Sequence, residues 1–360
     1  MRVLVTGANG FLGKNLQVHL REKEIETVSF TREMFEEQLP ECLEGVDFVF
    51  HLAGINRPKD PAEFAAGNKE LTEQLCDAIR ASGRQIPVIY TSSIQAEADN
   101  PYGASKKAAE QALIALERDA GSPVYIYRLP NVFGKWSRPN YNSAVATFCY
   151  NIANDLEIWI SDPAATIRLV YVDDVIADFL KLFSERPTGV MRPEIATGYT
   201  ISVGNLAEQI RAFKGSRESM GTEAVGAGLT RALYSTYLSF LRPEQFSYSL
   251  PLHEDPRGRF VEMLKTRDSG QFSFFTAHPG ITRGGHYHHS KNEKFLVIQG
   301  KARFGFRHIV TEEIYELFTD DTKPEVVETM PGWAHDITNI GSNEMIVMLW
   351  ANEIFDEQHP

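Results

Sequence analysis

The chain is poor in cysteine, has fewer basic than acidic residues, and carries no long hydrophobic run. Its three cysteines, Cys42, Cys76 and Cys149, are an odd number without CxxC spacing. That excludes a disulfide framework and fits buried small residues in a reducing compartment. No apolar stretch approaches the roughly 18 residues that a membrane span needs. The opening Met1-Arg2-Val3-Leu4-Val5-Thr6-Gly7 turns glycine-rich too early for a signal peptide. The expectation is a cytoplasmic protein with no membrane partner. Lys and Arg number 36 against 48 Asp and Glu, a formal net charge of −12, which argues against nucleic acid as a partner. An anionic small ligand stays compatible, because glycine-rich loops and helix N-termini bind phosphate without net positive charge.

What is present is a globular composition, 43% hydrophobic and 23% charged, which leaves no room for a mainly disordered chain. A length of 360 residues suits two or three domains of roughly 150 residues. Residues 2–5, 27–30, 48–52, 88–92 and 124–128 read as strands, with helix-like stretches at 12–23, 68–81 and 105–119 between them. This alternation predicts an α/β Rossmann-type, doubly wound parallel sheet. After a helix-like 229–241 the texture changes. Short strand-like runs at 272–276, 293–298, 302–308, 325–329 and 345–350 are separated by Gly, Pro and Asp, as in a small antiparallel all-β barrel. The expected domains are 1–243 and 244–360.

Three motifs carry chemistry. The first is Thr6-Gly7-Ala8-Asn9-Gly10-Phe11-Leu12-Gly13, placed after a strand and opening an apolar helix. Glycine there lets backbone approach a pyrophosphate whose charge sits on the helix N-terminus, so Gly7, Gly10, Phe11, Leu12 and Gly13 are candidate cofactor contacts. About 20 residues further on such sites sense the ribose 2′ position. Arg32, after Ser29-Phe30-Thr31, favours a 2′-phosphate and hence NADPH, with Glu33 beside it.

The second is Tyr102-Gly103-Ala104-Ser105-Lys106, on a helix entered at Asn100-Pro101. Tyr102 and Lys106, four apart, share a helix face. An adjacent ammonium is expected to favour the phenolate and lower the tyrosine pKa, making the pair a general acid for a carbonyl reduced by hydride. Ser93, at the end of Tyr90-Thr91-Ser92-Ser93, can hydrogen-bond the same carbonyl oxygen.

The third is Gly285-His286-Tyr287-His288-His289-Ser290-Lys291-Asn292-Glu293, followed by Gly300 and then Pro331-Gly332-Trp333-Ala334-His335-Asp336-Ile337-Thr338-Asn339. On a strand His286 and His288 point to one side. With Glu293 opening the next strand and His335 on a later one, three imidazoles and a carboxylate suit Zn²⁺ or another divalent first-row ion. His289 reads as a bystander.

Residues 1 to about 243 resemble an extended short-chain dehydrogenase/reductase. The resemblance rests on the glycine loop, His51-Leu52-Ala53-Gly54, Asn68, Ser93, Tyr102 and Lys106. It extends to Arg128-Leu129-Pro130-Asn131-Val132-Phe133-Gly134 and Arg168-Leu169-Val170-Tyr171-Val172-Asp173-Asp174-Val175. It implies that Leu52, Ala53 and Gly54 line the cofactor, Ser93 polarises the carbonyl, Tyr102 donates the proton and Lys106 also holds the nicotinamide ribose. The family's usual Val-Tyr-Gly after the serine pair is replaced by Ala96-Glu97-Ala98. The histidine segments resemble the paired motifs of the cupin superfamily, a double-stranded β-helix barrel. Asp255-Pro256-Arg257-Gly258-Arg259-Phe260-Val261-Glu262 and Arg283-Gly284-Gly285-His286-Tyr287 resemble 3,5-epimerases of nucleotide-linked 4-keto-6-deoxy sugars. Those enzymes use a histidine base; here His286 as a metal ligand is not free to act as one. Lys294, His289 and Tyr287 are the candidates left open.

The whole chain resembles the bifunctional capsular-polysaccharide CapF family. Further matches are Asn56-Arg57-Pro58, Lys135-Trp136-Ser137-Arg138-Pro139-Asn140-Tyr141-Asn142-Ser143, Leu233-Tyr234-Ser235-Thr236-Tyr237-Leu238-Ser239 and Asn292-Glu293-Lys294-Phe295. The resemblance implies a UDP-linked 4-keto-6-deoxy amino sugar supplied by a partner dehydratase. The cupin would epimerise C3, and NADPH reduction at C4 would give UDP-2-acetamido-2,6-dideoxy-L-talose. That product lies on the way to UDP-N-acetyl-L-fucosamine for capsule or O-antigen, with a 2-epimerase as the other pathway partner. It also implies zinc and a homodimer. Arg57, Arg138 and Arg168 are candidates for the diphosphate and Asn142 for a polar sugar contact. Two competing classes are a reductase whose cupin is a non-catalytic structural or dimerisation module, and an oxygen-activating metal enzyme.

Overall fold

The structure is a computed structural model describing all residues except 35, 57–59, 61–62, 289–291, 310, 323–324, 331–332 and 355–360. It divides into two compact units, Met1–Ile210 with Arg231–Leu241, and Arg211–Thr230 with Arg242–Pro360. Among the described residues no helix is long and apolar enough to cross a membrane. The three cysteines are free and buried, and burial pushes the Cys76 thiol up to about 12.

The first unit opens with β1 (Arg2–Thr6), α1 (Phe11–Glu22), β2 (Glu26–Phe30), α2 (Leu39–Cys42), β3 (Phe48–His51) and α3 (Leu71–Ala81). It continues with β4 (Val88–Ser93), α4 (Pro101–Ala120), β5 (Val124–Leu129), β6 (Asn131–Phe133), α5 (Ala144–Ala153), β7 (Thr166–Tyr171), α6 (Val172–Glu185), β8 (Val190–Met191) and β9 (Tyr199–Ser202). The main sheet is parallel in the order β2-β1-β3-β4-β5-β8. Val3, Leu4, Val5, Phe48, Val49 and Phe50 are fully buried, as strands of a parallel sheet covered on both faces must be. The chain leaves β1 for β2 on one side and returns to β3 on the other. The crevice at the carboxyl ends of β1 and β3 is therefore the switch point at which such sheets bind ligands.

Two local sequences set the site-bearing helices. Asn100 caps α4 by accepting from the Gly103 N–H at 2.8 Å, Pro101 takes the first turn, and Gly121 ends it at φ +68°. Tyr102 and Lys106 thereby fall in the first two turns. The helix expected over 68–81 instead starts as a π-helical turn, Ala65–Glu70, before α3. Such wider turns re-aim side chains and concentrate at functional sites; this one carries Asn68.

The helix α7 (Val203–Ser219), the two-residue β10 (Gly221–Thr222) and α8 (Gly228–Leu238) lead into the second unit. Its strands are β11 (His253–Asp255), β12 (Gly258–Thr266), β13 (Gly270–Ala277), β14 (Thr282–His286), β15 (Glu293–Gln299), β16 (Lys301–His308), β17 (Ile314–Asp320), β18 (Val326–Glu328), β19 (Trp333–Asn339) and β20 (Met345–Ala351). One sheet runs β10-β12-β13-β20-β15-β18 with β11 against β12, and the other β14-β19-β16-β17. Alternate residues of both sheets, among them Phe275, Phe295, Val297, Phe304, Ile337 and Val347, form one buried core. The chain thus builds the expected Rossmann-type sheet followed by an all-β region.

Candidate active site and candidate metal centre

Gly7 stands at φ +67°, and a Cβ there would lie 2.7 Å from the Ala53 nitrogen. Glycine therefore lets the β1 turn pass against the strip that follows β3. The Gly10 N–H donates to the Gly7 carbonyl at 2.8 Å, and Gly10 is the N-cap of α1. The next N–H groups, from Phe11 to Gly13, belong to the first helix turn, whose N–H groups lack intrahelical acceptors and suit an anion. Beside them, Leu52 and Ala53 donate backbone N–H bonds to the Thr6 carbonyl and hydroxyl. Gly54 lies so close that a Cβ on it would be 2.8 Å from Lys106 Nζ.

A directed hydrogen-bond chain fixes this strip. The Ala53 N–H donates to Thr6 Oγ1, whose hydroxyl is left to donate to His51 Nδ1 at 2.7 Å. Thr72 Oγ1 donates to the Asn68 carbonyl at 2.6 Å, so His51 Nε2–H must donate to Thr72 at 2.8 Å. The network selects a neutral imidazole protonated at Nε2. Burial first, and the Lys106 charge second, pull His51 down to about 3. The Asn68 side chain accepts from Ile55 N–H and donates to Ile55 C=O, both at 2.9 Å, and reaches Ser105 Oγ on α4.

Ser93 ends β4, where its hydroxyl oxygen accepts from the Gln95 N–H at 3.2 Å and lies near enough to Tyr102 to lower that phenol's pKa. Lys106 is 4% exposed, donates to the Thr91 carbonyl at 3.0 Å and lies 4.9 Å above the Tyr90 ring. Burial lowers it to about 8, opposed by Glu110. The expectation that Lys106 lowers the Tyr102 pKa fails here. Burial raises Tyr102 above its ordinary value, Ser93 opposes that, and the Lys106 ammonium is spent on the Thr91 carbonyl.

Sequence reading missed Glu110, one turn beyond Lys106 and 2% exposed. Its carboxylate accepts from Ser92 Oγ at 2.5 Å and from Arg128 at 2.9 and 2.7 Å. The i+4 spacing from Lys106 and an arginine in the β5 strand were the available signals.

Arg32 is exposed just beyond β2. Arg138 and Asn142 are exposed in the segment between β6 and α5, with the Arg138 guanidinium 5.0 Å over the Tyr141 ring. The Arg168 side chain is exposed on β7. No hydrogen bond among the described residues joins these three to Ser93, Tyr102 or Lys106. Arg57 lies outside the described residues, as does His289.

In the second unit the ligand-type atoms of His286, His288, Glu293 and His335 all lie within 4.8 Å of one another. Gly284 and Gly285 stand at φ +88° and +87°, and the β14–β19 pairing bulges between Gly284 and His286. That bulge sets His286 directly opposite His335. His288 departs from the expected geometry: β14 ends at His286, so His288 comes in from beyond the strand and not by strand alternation. Glu293 Oε2, nearly buried, faces His335 Nε2 at 3.1 Å and His288 Nε2 at 3.5 Å. His335 Nδ1 is buried and has no hydrogen-bond partner among the described residues. Three imidazoles crowded on one carboxylate, with a buried nitrogen unmet, fit a divalent cation.

The cluster forms one wall of a cavity of about 610 Å³. Asp255, Arg257 and Arg283 also line it. Arg257 hydrogen bonds hold the Asp255 carboxyl down to about 2, and Arg283 stacks 5.1 Å from the Phe275 ring. Lys294 does not reach the cavity. Next to inward Glu293 it must point outward, where it pairs with Glu328 at 3.0 Å. Tyr287 is 45% exposed and is not among the lining residues.

Comparisons with known proteins come from both halves. The NAD dependent epimerase/dehydratase family matches residues 3–194, and the polysaccharide biosynthesis C-terminal domain matches 253–360. The UDP-2-acetamido-2,6-beta-L-arabino-hexul-4-ose reductase of Pseudomonas aeruginosa is 63% identical over 100% of this chain and 97% of its own. The crystal structure of the capsular polysaccharide assembling protein CapF from Staphylococcus aureus superposes with a TM-score of 0.92 at 41% identity, over 100% of this chain and 98% of that one. The UDP-glucose 4-epimerase of Thermotoga maritima matches 67% of this chain and 98% of its own at TM-score 0.59 and 21% identity, a likeness of fold alone.

Proposed function

The chain belongs to the NAD dependent epimerase/dehydratase family and within it to the CapF group, and from that premise we propose an enzyme with two successive activities. Residues 1–243 form an NADPH-dependent reductase of a UDP-linked 4-keto-6-deoxy-N-acetylhexosamine. Residues 244–360 form a zinc-binding cupin that first epimerises C3 of the same sugar. The product is UDP-2-acetamido-2,6-dideoxy-L-talose, a precursor of UDP-N-acetyl-L-fucosamine in capsule or O-antigen synthesis. The enzyme works in the cytoplasm as a homodimer, between a dehydratase and a 2-epimerase. One observation carries the reading. Ser93, Tyr102 and Lys106 stand around a glycine-loop crevice in a chain 63% identical, end to end, to a reductase of a UDP-linked hexul-4-ose.

When bound, the nicotinamide supplies the hydride that reaches C4. The rest falls to the protein. Gly7, Gly10, Phe11, Leu12 and Gly13 hold the pyrophosphate, Leu52, Ala53 and Gly54 the nicotinamide half, and Arg32 the 2′-phosphate. Lys106, within reach of Gly54, holds the ribose. Ser93 fixes the sugar carbonyl oxygen, and Tyr102 gives its phenolic proton to that oxygen as the C=O pair closes onto it. Burial keeps the phenol protonated, which suits an acid waiting for substrate. Arg57, Arg138 and Arg168 take the diphosphate and Asn142 the sugar.

His286, His288, Glu293 and His335 are the residues that would hold the zinc, which when bound supplies a positive charge to polarise the ketone beside the acidic carbon. Reducing the ketone removes that acidity, so the second step traps one epimer. The test is NADPH oxidation with the 4-keto sugar and NMR of the product. A 6-deoxy-talo product supports the reading. NADPH oxidation yielding a product of unchanged C3 configuration would leave only a reductase with a structural barrel.

A further inference from the structure

A C3 epimerisation needs a base, and the metal ligands are not free to serve. We propose that His253 is the residue that removes the C3 proton in the barrel cavity. This deepens the epimerase reading and rests on it.

The register of the sheet carries the argument. His253 on β11 pairs with Phe260 on β12, and Phe260 pairs with Phe275 on β13. Directly opposed residues share a face of a sheet. Phe275 is 4% exposed in the barrel core, Phe260 packs against that core, and the His253 and Phe260 rings stand 6.4 Å apart. Phe275 pairs in turn with Val347, and Val347 with Val297, two residues along β15 from Phe295 and four from Glu293. His253 therefore lies on the face that presents Glu293, and it lines the same cavity.

The other titratable lining groups outside the metal cluster are committed or turned away. Glu254 alternates to the outer face, opposite Arg259, which it pairs with at 3.6 Å. Asp255 is bound by the Arg257 guanidinium at 2.6 Å and is too weak a base in that pair. Asp336 follows inward His335 on β19 and accepts from Arg303 at 3.1 Å. Arg257 and Arg283 have no lone pair to offer. His253 has no side-chain hydrogen bond or ion pair among the described residues, its one ring neighbour being Phe260, and a neutral imidazole carries a ring-nitrogen lone pair that can accept a proton.

In the step, the His253 imidazole nitrogen takes the proton from C3. The C3–H electron pair becomes the C3=C4 bond, and the carbonyl pair moves onto O4. Water then gives a proton to C3 from the opposite face, the C=O reforms, and imidazolium returns its proton to solvent. No net oxidation occurs, and solvent hydrogen ends on C3.

The test uses the full-length zinc-loaded protein and a UDP-4-keto-6-deoxy-N-acetylhexosamine in D₂O without NADPH, reading deuterium at C3 by NMR. His253→Gln should slow exchange by roughly 10²–10⁴-fold, the usual contribution of a general base. Its zinc content and melting temperature should stay at wild-type values. His253→Ala should lose exchange likewise and regain part of it with added imidazole. Wild-type exchange rates in His253→Gln overturn the assignment of His253. Loss of zinc or of folding in both variants, with no imidazole rescue, overturns it too, because the residue would then be structural. Absence of exchange in the wild type overturns the epimerase reading beneath it.

Discussion

The two candidate sites are built on opposite plans. In the first unit almost every polar group in the crevice already has a protein partner. His51 is satisfied at both nitrogens, Asn68 clamps the Ile55 backbone, Lys106 rests on the Thr91 carbonyl, and Glu110 binds Ser92 and Arg128. In the barrel, three imidazoles converge on one buried carboxylate, and His335 Nδ1 has no partner among the described residues. The first site is complete as protein and waits only for ligands. The second is a set of ligand-type atoms, all within 4.8 Å of one another, with the chemistry to hold a cation. Preorganisation by hydrogen bonds suits a bound cofactor with a fixed pose; a cluster of ligand atoms suits an ion whose binding energy also supports the fold.

The largest expected effect separates the two sites. Tyr102→Phe should lower NADPH-dependent turnover by roughly 10²–10⁴-fold, while C3 exchange in D₂O stays at the wild-type rate. Equal loss of both activities would merge the sites the comparison keeps apart. Metal removal cuts the other way. Chelation should stop C3 exchange and destabilise the barrel by about 4 kcal/mol relative to metal at a thousand times its Kd. Hydrogen exchange of the first unit should be unchanged; a metal-independent barrel melt would contradict the account.

Next comes Glu110→Gln, which leaves Arg128 with only the exposed Glu97 as its anion and Ser92 without its carboxylate acceptor. Since Arg128 is 26% exposed at its side chain, water offsets part of the loss, and a destabilisation of about 2–3 kcal/mol is expected in the first unit. Denaturant titration followed in that unit measures it.

The smallest effect is a pH dependence of His51. Below about pH 6.5 the unfolded chain binds a proton at this residue that the folded chain refuses until about pH 3. Stability is therefore full above pH 6.5 and falls as the pH drops through that window, by about 2 kcal/mol at pH 5. His51→Gln should flatten that slope in hydrogen exchange of the first unit, and a slope unchanged by the substitution would break the neutral-imidazole assignment.

The sequence exposed much of this because its strongest signals are local. Residues 3–5 and 48–50 are uninterrupted apolar runs, as strands covered on both faces require, and the glycine loop sits in a strand–turn–helix context. Asn100, Pro101 and Gly121 announce the ends of α4. His286, His288 and Glu293 are close enough in sequence to be read as a set, and His335 stands in a motif segment of its own. What stayed hidden depends on pairing between distant strands. The bulge that sets His286 opposite His335 needs Gly284 against β19, and the inward face of His253 follows only from its register with Phe260. The direction of the Tyr102 shift is not legible in a helical spacing, because it is set by burial, opposed only by Ser93, with no contribution from the neighbouring ammonium. Lys294 was a candidate base although its place next to inward Glu293 already turned it outward.

The central claim is that one chain carries two successive steps on one sugar. Its most direct test is a single reaction in D₂O with NADPH and the UDP-4-keto-6-deoxy-N-acetylhexosamine, with the product examined by NMR and mass spectrometry. The expected product carries one deuterium at an inverted C3 and a protium at C4 delivered from NADPH. A product that keeps its original C3 proton and configuration would contradict the claim.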